Sequence, residues 1–160
     1  MKTLISPDPA ARVKALPAAE TKFILHPTDL TQGSEKAFAV AVSLARQHGA
    51  ELIIAHVLPP PTPLFESESP HWAQAEAALA SLADVAAEFG VSARRVLIDS
   101  TAPVSQSIVR CAGEIHAGMI VMGATGKTGI SRWLVGSHAA KVITSAHCPV
   151  VVVRAGAARC

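Results

Sequence analysis

Strand-like apolar runs alternate along this chain with segments of helical periodicity, and this alternation constrains the fold more than any other feature. In the first helical segment, Phe38, Ala41 and Ala45 keep the spacing of one helix face, and Gly49 follows as a stop signal. Gly90 and Gly118 follow the second and third helical segments in the same way. Strands joined by helices of this length form right-handed parallel βαβ units. We therefore predict a single α/β domain built on a doubly wound, five-stranded parallel sheet with helices on both faces. The predicted strands are 22–26, 51–57, 94–98, 119–122 and 150–153, and the predicted helices are 34–48, 71–89, 104–117 and 137–146.

Composition favours a packed domain and argues against two classes of partner. Half of the 160 residues are hydrophobic and 16% are charged, so the chain can bury a sizeable core. The formal net charge of +2 comes without a run of basic residues, and we expect no nucleic-acid partner. No stretch approaches 18 consecutive apolar residues, so we expect no membrane span.

The two ends of the chain and its cysteines indicate a cytoplasmic protein with one central domain. Residues 1–21 contain three prolines and lack the apolar core of a signal peptide, so we expect a flexible extension there. We place the domain at 22–155 and a short tail at 156–160. The three cysteines form no C-x-x-C pair, which favours reduced structural thiols over a disulfide framework.

Glycines flank the loop that follows the fourth predicted strand. Gly123 and Gly126 come first, and after nine residues Gly136 and Ser137 open the last predicted helix. Glycines allow the backbone to approach a ligand closely, and a helix N-terminus offers unpaired N–H groups to an anion. The spacing therefore predicts a phosphate site at this loop.

A Walker A motif is not expected in the same loop, although Gly126-Lys127-Thr128 matches its last residues. That motif requires a glycine five positions before Gly126, and Val121 stands there inside a predicted strand. Gly129 also interrupts the helix that would have to begin at once. The lysine therefore does not define a P-loop.

The longer pattern G-x2-G-x9-G-[ST], over 123–137, resembles the motif of nucleotide-binding members of the universal stress protein family. The similarity extends to 24–29, to 52–57 and to the closing segment 137–153. This resemblance implies the strand order 3-2-1-4-5, with a switch point between the first and fourth strands. Sheets of this kind bind ligands at the switch point, outside the carboxyl ends of the strands. Asp29 follows one of these two strands, and Gly123 ends the other.

Residue chemistry and the resemblance together assign roles in an adenine nucleotide site. The backbone N–H groups around the glycines, and the hydroxyl of Ser137, can donate to phosphate oxygens. Asp29 can accept from ribose hydroxyls or hold a Mg²⁺ ion that bridges phosphates, or it can serve as an Asx-turn or N-cap residue. The resemblance implies that Pro27, Thr28 and Val57 border the adenine and the ribose, with Met122 nearby. The predicted nucleotide-binding residues are Pro27, Thr28, Asp29, Val57, Met122, Gly123, Thr125, Gly126, Gly136, Ser137, His138 and Ala139.

The phosphate end of the predicted site departs from the family pattern in its charge. Many relatives have a basic or imidazole side chain between the first two glycines, where this chain has Ala124 and Thr125. Thr125 can offer only a hydroxyl. Lys127 and Arg132 could supply the missing charge, or could be solvated loop residues. The preference for ATP over AMP is therefore open, whereas adenine binding is expected.

The resemblance implies a stress-response sensor or regulator that binds ATP, or AMP or ADP, together with Mg²⁺. The predicted site has no nucleophile–base pair and no paired carboxylates, so any ATP hydrolysis should be slow. The resemblance also implies a homodimer through the edge strand Val150–Val153, unless the N-terminal extension or the tail covers that edge. Two alternatives stay open: a slow ATP hydrolase, and a nucleotide-free protein that acts through protein partners.

Overall fold

The strands and helices follow the predicted order, with small shifts at their ends. The computed structural model describes residues 21–58, 70–99, 101–124 and 135–154, so the tail, most of the N-terminal extension, and Thr125 and Gly126 lie outside the described residues. The strands are β1 (Phe23–Pro27), β2 (Glu51–Leu58), β3 (Ala93–Asp99), β4 (Met119–Gly123) and β5 (Val150–Val153). The helices are α1 (Glu35–His48), α2 (Pro70–Glu88), α3 (Val104–Glu114) and α4 (Ser137–Ser145), and a 3₁₀ turn (Gln32–Ser34) precedes α1.

The third helix is shorter than predicted. It ends at Glu114 rather than at residue 117, because His116 adopts the left-handed conformation with φ 51°. The N–H of His116 bonds to the carbonyl of Gly113 at 3.1 Å and closes the last turn. Glycine is the usual residue in such a turn, so the sequence favours Gly118 as the stop. Gly118 instead leads into β4, where its N–H donates to the carbonyl of Phe23 at 2.9 Å.

All the strands are parallel, and the sheet has the predicted order β3-β2-β1-β4-β5. β1 pairs with β2 along its whole length, but it pairs with β4 only through Ile24 and Leu25. The strand order reverses between β1 and β4, so the switch point lies where these two strands part.

Two hydrophobic layers cover the sheet, as predicted. Successive strand residues face opposite sides, so Ile24 and Ile54 enter one layer while Leu25 and Ile53 enter the other. Helices α1 and α2 pack on the first layer, and α3 and α4 pack on the second. The helices thus leave the carboxyl edge of the sheet open at the switch point.

The ends of α1 and α2 show why the sequence pattern was informative. Gly49 and Gly90 follow these helices with φ of 62° and 76°, a conformation that glycine adopts without a steric penalty. Both positions are the stop signals that the sequence predicts. Across the described ranges, no helix has the combined length and apolarity that crossing a membrane would require.

Candidate functional site

A cavity of about 540 Å³ opens at the carboxyl ends of the central strands. It lies at the switch point, because β1 stays paired with β2 as far as Pro27 but leaves β4 after Leu25. The volume is in the range of small-molecule sites, about 300–1,000 Å³. Its described lining residues are Pro27, Thr28, Asp29, Ser34, Ala55, His56, Val57, Val104, Ile108, Met122, Gly123, Ala124, Gly136, Ser137, His138 and Ala139.

The loop after β1 brings Asp29 to the cavity through an Asx-turn. Oδ1 of Asp29 accepts from the N–H of Thr31 at 3.1 Å and from its hydroxyl at 2.7 Å. The second oxygen, Oδ2, is buried and has no hydrogen-bond partner among the described residues. Buried polar atoms normally have a partner. Asp29 therefore builds the turn with one oxygen and leaves the other for a donor or a cation.

Side-chain hydroxyls brace this loop. The hydroxyl of Ser34 donates to the carbonyl of Thr31 at 2.7 Å, so Thr28 is the donor in its 2.9 Å bond with Ser34. The hydroxyl of Thr28 also accepts from the N–H of Leu30 at 3.1 Å. Leu30 has a φ of 60°, which is uncommon for a residue with a side chain. The hydroxyl network thus holds a turn that local preference alone would not favour.

Two further bonds fix the same loop to β2. The N–H of Thr28 donates to the carbonyl of Ala55 at 2.9 Å, and Nδ1 of His56 lies 2.8 Å from the carbonyl of Thr28. A carbonyl only accepts, so Nδ1 of His56 carries the proton in this bond. His56 therefore ties the end of β2 to the residue that precedes Asp29.

The first turn of α4 forms another wall of the cavity. The N–H of Gly136 donates to the carbonyl of Ala124 at 2.7 Å, which holds the start of α4 beside the end of β4. The first bond of the helix runs from the N–H of Ala140 to the carbonyl of Gly136 at 2.9 Å. The N–H groups before it have no partner within the helix, and they carry the positive end of its dipole. They belong to Ser137, His138 and Ala139.

Apolar side chains line another part of the cavity. Val57 and Met122 come from the strands, and Val104 and Ile108 come from successive turns of α3. Val57 is half-buried, whereas Met122 and Ile108 are almost fully buried. A flat apolar group could bury its faces against this wall without leaving a polar side chain unsatisfied.

A fully buried histidine lies beneath the site on β1. Nδ1 of His26 is 2.8 Å from the carbonyl of Val121, and its ring lies 5.8 Å from that of Phe38, between centroids. Burial lowers the pKa of His26 from 6.5 to about 4, although the Val121 bond and the charge of Asp29 act in the opposite direction. His26 is therefore neutral at pH 7 with its proton on Nδ1. Its Nε2 is buried and lacks a partner among the described residues.

The charges of the cavity limit what it can hold. Among its described lining residues, Asp29 is the one carboxylate, and there is no lysine or arginine. No cluster of three or more His, Cys, Asp or Glu suited to a metal ion occurs in the described part of the chain. Mg²⁺ bound mainly by phosphates and water fits, because it needs only one or two protein carboxylates.

Each predicted site residue that the structure describes lines this cavity, and Thr125 and Gly126 lie outside the described residues. Their roles in binding stay a prediction. Sequence reasoning missed several lining residues because their patterns are those of ordinary helix and strand positions. For His56, the alternation of β2 suggests only packing or an edge position. The missed residues are Ser34, Ala55, His56, Val104 and Ile108, together with Ala124, which the sequence marks only as an uncharged position of the glycine loop.

Fold and crevice together define a doubly wound α/β protein with a ligand site at its switch point. The universal stress protein family matches residues 20–154 of the chain. This match covers most of the 160 residues, and the chain belongs to the universal stress protein family.

Individual relatives agree with this assignment. A universal stress protein of Methanocaldococcus jannaschii is 33% identical over 141 residues, which cover 83% of this chain and 82% of that protein. A solved universal stress protein in complex with cAMP has a TM-score of 0.63 and 27% identity, covering 85% of this chain and 98% of the other. One from Archaeoglobus fulgidus in complex with dAMP has a TM-score of 0.67 and 23% identity, covering 82% and 96%. This last likeness concerns the fold alone.

Proposed function

We propose that this protein binds an adenine nucleotide in the crevice between β1 and β4. The observation that carries the proposal is the pairing of two unlike polar groups across one cavity. A buried carboxylate oxygen of Asp29 lacks a partner among the described residues, and the N–H groups at the start of α4 lie on another wall. The Asp29 oxygen suits hydroxyl donors or a cation, and the N–H groups of α4 suit an anion.

The cavity offers a suitable surface to each of the three groups of a nucleotide. The apolar wall that includes Val57, Ile108 and Met122 suits a base, and Oδ2 of Asp29 suits a ribose hydroxyl. Ser137 and the N–H groups after it suit a phosphate. The relative solved with cAMP supports an adenine nucleotide with a single phosphate group as one ligand class.

ATP with Mg²⁺ is the second ligand form that we propose. The described lining residues include no lysine or arginine to balance a triphosphate. Mg²⁺ supplies positive charge to phosphate oxygens and could also take Asp29 as a ligand. ATP should therefore bind more tightly with Mg²⁺ than without it, whereas AMP should depend little on the metal. We further propose a cytoplasmic regulator rather than a fast catalyst.

We also propose that the protein forms a homodimer through β5. This strand is one edge of the sheet. The carbonyls of Pro149 and Val153 accept bonds from β4, at 2.9 Å and 2.8 Å, so these residues face the sheet. Because strand residues alternate, the backbone groups of Val150 and Val152 face the free edge. A second copy of β5 could pair with them across a two-fold axis.

Calorimetric titration of AMP and of ATP, with and without Mg²⁺, tests the nucleotide proposal. Asp29→Asn should weaken binding about tenfold or more, because a charge-assisted hydrogen bond is lost. Asp99→Asn is the matched control, since Asp99 ends β3 and is exposed away from the cavity. If both variants bind the nucleotides with equal affinity, Asp29 does not contact the ligand and the binding site lies elsewhere.

The nucleotide-free alternative predicts no binding by the wild type. Mass spectrometry of gently purified protein provides a second check, because carried-over AMP or ATP contradicts that alternative. Turnover of ATP well above background that Asp29→Asn abolishes would instead favour the hydrolase alternative.

A further inference from the structure

The backbone pairing of β1 with β4 ends at one pair of residues, and just beyond it a side chain makes the hydrogen bond between the two strands. Their last paired residues are Leu25 and Ile120. In the same register the next pair would be His26 and Val121. The carbonyl of Val121 accepts instead from Nδ1 of the His26 ring, at 2.8 Å. An imidazole therefore spans the gap that a backbone hydrogen bond spans elsewhere in the sheet.

The surroundings of His26 fix this ring in place. It is fully buried, and it packs against Phe38 of α1 on one side of the sheet. His26 is followed directly by Pro27, Thr28 and Asp29, all of which line the cavity. Val121 is followed by Met122 and Gly123, which line the opposite strand end. The ring thus joins the two backbones one residue below the crevice.

We propose that His26 is a positioning residue of the nucleotide site: its Nδ1–H bond to Val121 sets the separation between the Asp29 loop and Gly123. This inference rests on the proposed nucleotide binding. Without the bond, a buried carbonyl would lose its partner and the two strand ends could close or shift. Sites of this kind lose affinity when their supporting groups allow movement of even a fraction of an ångström.

The tautomer of His26 serves the same site. With its proton on Nδ1, the neutral ring has only a lone pair on Nε2, so it cannot donate a hydrogen bond to Asp29. Burial lowers the pKa of His26, and the charge of Asp29 acts weakly in the opposite direction. His26 therefore positions the loop without occupying the carboxylate oxygen that a ligand would use.

A matched pair of variants separates positioning from simple packing. Asn Nδ2 occupies the topological position of His Nδ1 and can donate to Val121, whereas leucine has the same shape as asparagine without a donor. Both His26→Asn and His26→Leu lose the ring contact with Phe38. Titration of AMP into folded protein at pH 7.5 should show binding within about threefold of wild type for His26→Asn and at least roughly tenfold weaker for His26→Leu.

Equal affinities in the two variants, whether both unchanged or both weakened, would overturn the proposal. If His26 contributed only packing, both variants would have a lower unfolding free energy, but they would bind AMP with equal affinity. Amide NMR spectra of the free proteins add a readout that needs no nucleotide. His26→Leu should shift the amide resonances of Asp29 and Gly123 more than His26→Asn does, and equal shifts would contradict the proposal.

The wild type offers a check that does not depend on either variant folding. Long-range ¹H–¹⁵N spectra should show His26 with a protonated Nδ1 and an unprotonated Nε2 at neutral pH. A proton on Nε2 instead would overturn the proposal. If the wild type binds neither AMP nor ATP while these spectra and the amide shifts are as expected, the proposed function fails but the role of His26 at the strand ends stands.

Discussion

Acid should destabilise this protein through His26, and asparagine at that position should remove this part of the pH dependence. Burial holds the pKa of His26 at about 4 in the folded state, against 6.5 in an exposed chain. The unfolded state therefore binds more protons than the folded state between these values. Stability from a neutral His26 is complete above pH 6.5 and is lost as the pH falls towards 4.

The size of the effect follows from the two pKa values. One pKa unit corresponds to about 1.4 kcal/mol, so the full loss below pH 4 is roughly 3 kcal/mol. At pH 5 the unfolded imidazole is almost fully protonated and the folded one is almost neutral. Between pH 7 and pH 5 the loss from His26 is then about 2 kcal/mol. A domain with a total stability of about 5–15 kcal/mol should show this clearly.

Urea denaturation at both pH values, at one protein concentration, measures the effect. Other groups titrate in the same range, so the informative quantity is the difference between wild type and His26→Asn. The wild type should lose about 2 kcal/mol more than the variant on going from pH 7 to pH 5. Equal losses in the two proteins would show that His26 is not held neutral by burial, and the reasoning would fail.

Three further predictions concern packing, the free edge and Asp29. Gly118→Ala should lower the unfolding free energy by about 1 kcal/mol in thermal unfolding, because the added Cβ would lie 3.0 Å from Cα and Cγ2 of Thr21. Gly113→Ala is the matched control: its added Cβ would have its nearest contact at 3.6 Å, so the unfolding free energy should rise by roughly 0.5 kcal/mol. Val152→Pro should give a monomer in analytical ultracentrifugation, whereas Val152→Ala should stay dimeric, because only proline removes an N–H from the free edge. If both variants stay dimeric, the β5 interface is contradicted. Asp29→Asn should leave the unfolding free energy unchanged or higher despite weaker AMP binding, because it replaces a buried carboxylate oxygen that has no partner among the described residues and keeps Oδ1. A fall above about 1 kcal/mol in urea denaturation would contradict this.

The element order could be predicted from the sequence because its signals are local. Apolar runs, helical spacing and stop glycines such as Gly49 and Gly90 act within a few residues, and the structure confirms them. Where a residue other than glycine adopts the left-handed conformation, as at His116, the helix end was predicted wrongly. The strand order came from the family resemblance, since local patterns do not determine which strands become neighbours.

The polar groups of the site could be anticipated from the sequence, but its apolar wall could not. Asp29 and the glycines carry chemistry that points to a ligand. Ile108 lines the cavity only because one turn of α3 lies over the carboxyl ends of the strands, a tertiary fact with no sequence signal. The same holds for His26 and His56, whose hydrogen bonds depend on where β1 leaves its neighbours.

The central claim is that an adenine nucleotide binds between β1 and β4. Its most direct test is a titration of AMP into ¹⁵N-labelled protein, with the amide chemical shifts recorded at each step. The largest changes should fall on two walls of one crevice, at the amides of residues 28–29 and 136–139, with further changes at 57 and 122–124. Residues on the far edge of the sheet, such as those of β3, should not change. Absence of any shift at millimolar AMP, or changes confined to residues away from the switch point, would contradict a nucleotide site between β1 and β4.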